Sequence, residues 1–403
     1  MEINTGDTAF VLISAALVMI MTPALGFFYG GLVNRKNVLS TLMHSFFTLA
    51  LISVVWTLWG YTIAFGSDKG GIIGGFEFFG LKGIGVEDAS GTIPTFAFIA
   101  FQMMFAAITP ALISGGFAER KTFKAYLLFT VLWSTIIYSP LAHWVWGGGW
   151  LAEVGAIDFA GGTVIHISSG VAALVVAIVL GKRKSFGTKD ADPHNLTYTV
   201  LGAAFLWFGW FGFNSGSALG ANGLAASAFL VTNIAAATAA LAWTGVAWLK
   251  HGHPSVLGAA AGAVAGLVGI TPAAGFVGPW AAIIIGLGAG ILCPLALDFV
   301  KERLGIDDAL DVFAVHGIGG IWGALATGLF ADEAIGGKDG LFFGAPEQLW
   351  YQIVATVAAI AFSGIGTFVI LKVVNAIFPL RIAEDQEVLG LDSALHGEAA
   401  YQL

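Results

Sequence analysis

Charge is scarce in this 403-residue sequence: 17 Lys and Arg stand against 25 Asp and Glu, 10% of the chain in all. A water-soluble domain carries about 25%, so this one lacks the means to cover itself with a hydrated surface. The net charge of −8 and the lack of any basic cluster exclude the electrostatic footprint of nucleic-acid binding. Cysteine is nearly missing too, and the single Cys293 rules out an internal disulfide and a thiolate metal cluster. What fills the chain is apolar: 57% hydrophobic residues, a mean hydropathy of +0.86, and 56 glycines without a collagen period. Small residues let membrane helices approach closely, so this glycine content reads as tight helix packing inside a bilayer.

Apolar runs of about 20 residues mark spanning helices. Eleven are present, over 9–33, 40–65, 95–117, 122–142, 163–181, 196–214, 224–249, 255–275, 279–298, 311–331 and 348–378, separated by Gly/Asp/Asn/Pro clusters that favour turns. The longest connection, 66–94, is Gly-rich and reads as a cap. Orientation must alternate at every span, and cytoplasmic loops carry the excess of Lys and Arg. With the N-terminus outside, fourteen of the seventeen basic residues fall in the cytoplasm and only Lys69, Lys82 and Lys338 outside. The leader MEINTGD has no basic residue and the first run is too long for a signal peptide, so it reads as a retained span. The expected fold is an all-α, multi-pass protein of the cell membrane with eleven transmembrane helices, N-terminus out and C-terminus in. A transmembrane domain over 1–379 would be followed by a cytoplasmic tail, 380–403.

Two histidines interrupt the apolar runs. DFAGGTVIHISSG places His166 eight residues after Asp158, and DDALDVFAVHGIGG places His316 eight residues after Asp308. Eight helical residues rise about 12 Å. Span five descends from outside and span ten ascends from inside, so the two imidazoles reach similar depths in a core of about 30 Å. Halves near 9–181 and 196–331, five spans each, then form an inverted-topology repeat, with the long final helix 348–378 added. Such folds place the substrate path at the repeat interface near the midplane. Ionisable groups at that depth are costly and line paths or cavities, while a lone one packs against a neighbouring helix. Two imidazoles within hydrogen-bond reach share one proton.

With MTPALGFFYGGLVNRKN and FGWFGFNSGSA, those two motifs resemble the ammonium transporter family (Amt/MEP, related to the Rh glycoproteins), and the resemblance runs the length of the chain. It implies a prokaryotic-type transporter rather than an enzyme, without a cofactor. It implies a homotrimer in membrane lipid, with a narrow pore in each subunit lined by His166 and His316 for ammonium or ammonia, and methylammonium as an analogue. Phe105 and Phe213 resemble the stacked rings that gate the pore, and Trp146 with Phe105 and Ser217 the outer ammonium recruitment site. Chemistry agrees: a cation over aromatic faces gains about 0.5–2 kcal/mol, and a hydroxyl oxygen accepts its hydrogen bond.

Other residues carry two readings. Asp158 either attracts the cation or organises the turn into span five, since carboxylates favour helix N-termini. Trp210 either supports the pore or belongs to the interfacial belt. His44 and His143 read as packing or interfacial residues. The tail, with five acidic residues against one Arg, reads as a solvated end by composition. The resemblance, carried by Gly390, Asp392, His396, Gly397 and Tyr401, implies instead a tail packed beneath the trimer and regulation by a PII-type protein. Rival functions are a channel for carbon dioxide or water, a bis-histidine haem redox protein, and an ammonium sensor.

Overall fold

In the computed structural model, which describes residues 2–401, the chain forms a bundle of apolar helices: α1 (Thr5–Leu32), α2 (Val38–Phe65), α3 (Thr95–Phe117), α4 (Phe123–Val154), α5 (Gly162–Leu180), α6 (Leu196–Gly216), α7 (Gly223–His251), α8 (Val256–Ile270), α9 (Pro279–Arg303), α10 (Phe313–Phe330) and α11 (Pro346–Ile377). Ten of them are long and apolar enough to cross a membrane; α8, at 15 residues, is the exception. At 1.5 Å per residue it covers only about 22 Å. The expected span 255–275 is therefore corrected. Pro272 lacks an N–H and crowds the turn before it, and beyond Ile270 the chain goes on in turns through buried Ala273 and Ala274. Irregular backbone at that depth is tolerated where protein surrounds it.

The expected span 122–142 also stops short of the observed helix. The helix runs on through a wide π turn at Ser134–Tyr138 to Trp146, turns at Gly147–Gly149, and ends with Trp150–Val154. Trp146 thereby sits at the outer end of α4. A row of glycines on α6 faces α1, and Gly262 and Gly266 of α8 with Gly286 and Gly290 of α9 face α7, so these glycines serve close helix contacts.

The loops sort to two ends, as the charge distribution requires. At the N-terminal end, residues 66–94 form a cap of two short hairpins. His143 pins it from α4, with Nδ1 at 2.9 Å from the Ala64 carbonyl and Nε2 at 2.8 Å from Asp68, so His143 packs the cap as expected. At the opposite end, Arg183 after α5 bonds Glu119 at 2.6 Å and Asp307 at 2.9 Å, and the Arg120 guanidinium donates to the Asp307 carbonyl at 2.7 Å. Burial works to raise the Asp307 carboxyl, but Arg183 and Arg120 hold it below its usual range.

The tail folds onto this same end. A short helix α12 (Glu384–Leu389) puts Glu387 against the Lys184 N–H (2.7 Å) and the Arg381 guanidinium (2.8 Å). Past Gly390, Asp392 accepts from the N–H groups of Leu39 (3.1 Å) and Ser40 (2.8 Å), supplying the cap that α2 lacks from its own N-terminal residue. The His396 ring meets Phe123 at 5.4 Å, Gly397 turns the chain, and the Tyr401 hydroxyl lies 2.9 Å from His194. A solvated end does not describe this segment; it is packed on the loops.

Candidate functional site

Helices α5 and α10 enter the bundle from opposite ends and meet at their histidines. Nδ1 of His166 lies 3.1 Å from Nδ1 of His316, with the rings 5.2 Å apart and inclined by 23°. At that distance at most one of the two nitrogens carries a proton, because two N–H groups would face each other. Nε2 of His166 is buried without a partner among the described residues.

Both helices start later than the eight-residue spacing suggests. α5 opens at Gly162 and α10 at Phe313, each with a π turn that contains its histidine. The depth of about 12 Å was thus too large, and the pairing comes from the way both chains dip before turning helical. Each dip is held by the aspartate ahead of it: Asp158 accepts from the Thr163 N–H at 2.7 Å and Asp308 from the Phe313 N–H at 2.7 Å. Four residues past each histidine a glycine permits the crossing. A Cβ on Gly170 would lie 2.5 Å from the Gly317 Cα, and one on Gly320 would lie 3.1 Å from the His166 Cβ.

The two aspartates differ in how far they are satisfied. Asp158 also accepts from Gly161 and Gly162, both at 2.8 Å, and from Val164 at 3.4 Å, so its carboxylate is turned into the backbone. Gly161 makes that turn possible with φ 116°, in the region that favours glycine. Burial pushes the Asp158 carboxyl up, and these N–H groups pull it back only in part. Asp308 keeps one buried oxygen without a partner, and burial, with Asp311 beside it, pushes its carboxyl up to about 6.

Outward from the pair, the Phe213 ring lies 6.0 Å from His166 and the Phe105 ring 4.3 Å from Phe213, inclined by 39°. Both phenylalanines are fully enclosed, so this stack closes the path. Above it opens a recess of about 340 Å3 walled by Phe98, Gln102, Phe105, Trp146, Phe159 and Ser217. Trp146 meets Phe105 edge-on at 6.4 Å, and its indole N–H donates to the Asp158 carbonyl at 2.8 Å. The Ser217 hydroxyl donates to the Phe213 carbonyl at 2.9 Å, which leaves its oxygen lone pairs for an incoming N–H.

Inward, the histidines border an apolar cavity of about 20 Å3, close to the least that holds one water-sized molecule. Trp210 forms its side wall, stacked on His166 at 5.4 Å and 22°, with the indole N–H on the Thr271 hydroxyl at 2.9 Å. Trp210 is thus enclosed at mid-depth and does not belong to an interfacial belt. Phe28, Leu310 and Val315 separate this cavity from an inner recess of about 210 Å3 that reaches Asp311 and His251.

The structure brings together His166, His316, Phe213, Phe105, Trp146, Ser217 and Trp210 along one line, with Asp158 as the anchor behind it. The tail residues Gly390, Asp392, His396, Gly397 and Tyr401 lie apart, at the loop end. Sequence reasoning passed over Gln102 and Thr271. Gln102 sits one turn before Phe105 on the same face of α3, and that spacing was the available signal.

Fold and site together define a multi-pass membrane protein built around a narrow, mostly apolar path that is broken at mid-depth by a histidine pair. The family model described as Ammonium Transporter Family matches residues 9–401. An ammonium transporter of Bacillus subtilis is 57% identical over 401 residues, covering 98% of each chain. Ammonium transporter Amt1 of Archaeoglobus fulgidus is 47% identical, covering 99% of this chain and 100% of its own. Among solved structures, Saccharomyces cerevisiae Mep2 superposes with a TM-score of 0.89 at 38% identity, over 96% of this chain and 89% of that one. This chain belongs to the ammonium transporter family.

Proposed function

We propose that the chain carries ammonium across the cell membrane by admitting the cation at the outer recess and passing ammonia through the histidine-lined path. The observation that carries this reading is the contrast in size and polarity along one line. The recess above the Phe105–Phe213 stack is wide and aromatic and offers the Ser217 oxygen; the cavity below it holds about one small molecule between apolar walls and two imidazoles. A bare cation is stabilised over the rings and the hydroxyl and is poorly accommodated beneath the stack. Ammonium differs from potassium in donating directed hydrogen bonds and in being able to leave its proton behind. The proton then passes separately along the histidine pair, whose Nδ1 contact holds one proton between two rings, so that net charge crosses with the ammonia.

A haem between His166 and His316 is excluded by space: the rings are in direct contact and the cavity beside them is about 20 Å3. In the same reading the chain assembles as a homotrimer, and the face where residues 380–401 pack on the loops receives a PII-type protein. The test is electrical recording on proteoliposomes. Pulses of ammonium and methylammonium are expected to evoke current, and equal pulses of potassium none; a potassium current of equal size refutes the reading.

A further inference from the structure

One tetrapeptide, Ile-Thr-Pro-Ala, occurs twice, at 108–111 in α3 and at 270–273 where α8 stops. These are the third helices of the first and the second set of five. In both copies the threonine hydroxyl donates to the carbonyl four residues back, Thr109 to Phe105 and Thr271 to Leu267, each at 2.7 Å. The copies differ in what reaches the hydroxyl oxygen. Among the described residues no donor meets the Thr109 oxygen, whereas the Trp210 indole N–H meets that of Thr271 at 2.9 Å. With its own proton spent on Leu267, the Thr271 hydroxyl serves the indole as an acceptor. The early end of α8 holds that oxygen in place. The Pro272 carbonyl accepts the Phe159 N–H at 3.1 Å, and a Cβ on Gly162 would lie 2.5 Å from the Pro272 ring.

The Trp210 indole lies flat on His166, ring centres 5.4 Å apart and inclined by 22°, and walls the cavity of about 20 Å3. A space close to the least that holds one water-sized molecule passes ammonia, whereas a molecule one methyl larger crosses only as the wall gives. We infer that Thr271 is a specificity-determining positioning residue, whose hydroxyl oxygen pins the Trp210 indole against His166 and so sets the discrimination against methylammonium. This role rests on the reading of the path given above. Thr271 does not line the cavity itself, so it acts through the indole. Without its oxygen the Trp210 N–H is buried with no acceptor, and the ring gains by turning from His166 toward another one. The wall then recedes, and the larger molecule passes more readily.

The experiment reads the ratio of methylammonium to ammonium current on proteoliposomes at saturating pulses, a quantity independent of how much protein inserts. A neutral hydrogen bond corresponds to about a fivefold change in population. Thr271→Val is expected to raise the ratio about fivefold, and Thr271→Ser, which keeps the oxygen, to hold it at the wild-type value. Thr109→Val, which loses the same bond to a helix carbonyl but carries no indole, is expected to leave the ratio unchanged. In a Trp210→Phe background there is no N–H to hold, so Thr271→Val adds nothing further. Where Thr271→Val fails to insert, Thr271→Ala takes its place with the same expected outcomes. An unchanged ratio in the Thr271 variant, an equal rise in Thr109→Val, or an equal rise with and without the indole overturns the inference while the path stands. A wild type that conducts potassium as readily as ammonium removes the path reading, and the role of Thr271 falls with it.

Discussion

Replacing Asp158 by Asn separates anchoring from ion binding. The carboxylate accepts four backbone N–H groups: Gly161 and Gly162 at 2.8 Å on one oxygen, Thr163 at 2.7 Å and Val164 at 3.4 Å on the other. An amide keeps one oxygen and turns an NH2 toward the second set. One strong donor and one weak one are then left unmet in a buried turn. Each unmet donor costs about 1–3 kcal/mol, so Asp158→Asn should destabilise the fold by roughly 2–4 kcal/mol, and Asp158→Ala, which strands all four, by more. His166 lies three residues beyond Thr163, so the imidazole loses its register with His316 as the turn relaxes. The assay is the unfolding midpoint of the purified protein, followed by tryptophan fluorescence, beside the ammonium-evoked current. Both should fall together. An unchanged midpoint with a raised half-saturating ammonium concentration would refute the anchoring argument and make the carboxylate a cation site.

Two further predictions concern the loop end. Arg183→Met leaves Glu119 and Asp307 buried with their principal cation removed; breaking a buried pair costs about 3–5 kcal/mol, so the unfolding midpoint should drop sharply, and an unchanged midpoint would show the network to be ornamental. Lys121 is fully enclosed, its ammonium nitrogen 4.3 Å and 3.9 Å from the Phe117 and Phe129 ring centres, with no hydrogen-bond partner among the described residues. Burial holds its amine well below the usual lysine value of 10.5. The unfolded chain therefore binds a proton that the folded one gives up, and wild-type stability rises with pH until the unfolded lysine itself titrates near 10.5. Lys121→Met should be more stable at neutral pH and should flatten that rise, as midpoints measured across the range will show.

Much of this was legible in the sequence, for reasons that particular residues make plain. Membrane spans announce themselves because lipid demands unbroken apolar helices, and the sorting of Arg35, Lys124, Lys184 and Lys250 to one side fixed their direction. The histidine pair was readable because two matched segments carry Asp and His at equal spacing. Where a helix starts or stops was harder to read. Asp158 and Asp308 satisfy backbone donors across a dip of several residues, so α5 and α10 begin late. Pro272 ends α8 early, while α4 runs through a π turn to Trp146, past its expected end at 142. These boundaries depend on which distant backbone or side chain takes up each freed donor or acceptor, and a single sequence does not display that pairing. Trp210 was obscured for a related reason: composition offers 13 tryptophans, and only the crossing of α3, α5 and α6 shows which of them faces the path. The tail was misread by composition alone, because Glu387 and Asp392 serve as acceptors for this chain's own backbone rather than as solvated charge.

The central claim is that the touching imidazoles of His166 and His316 make the path selective. Its most direct test is the proteoliposome current evoked by ammonium and by potassium in the variant carrying His166→Leu and His316→Leu, with protein insertion and unfolding midpoint matched to wild type. The account predicts that ammonium-selective current disappears. A current in the double variant that is as large as that of wild type and still distinguishes ammonium from potassium would contradict it.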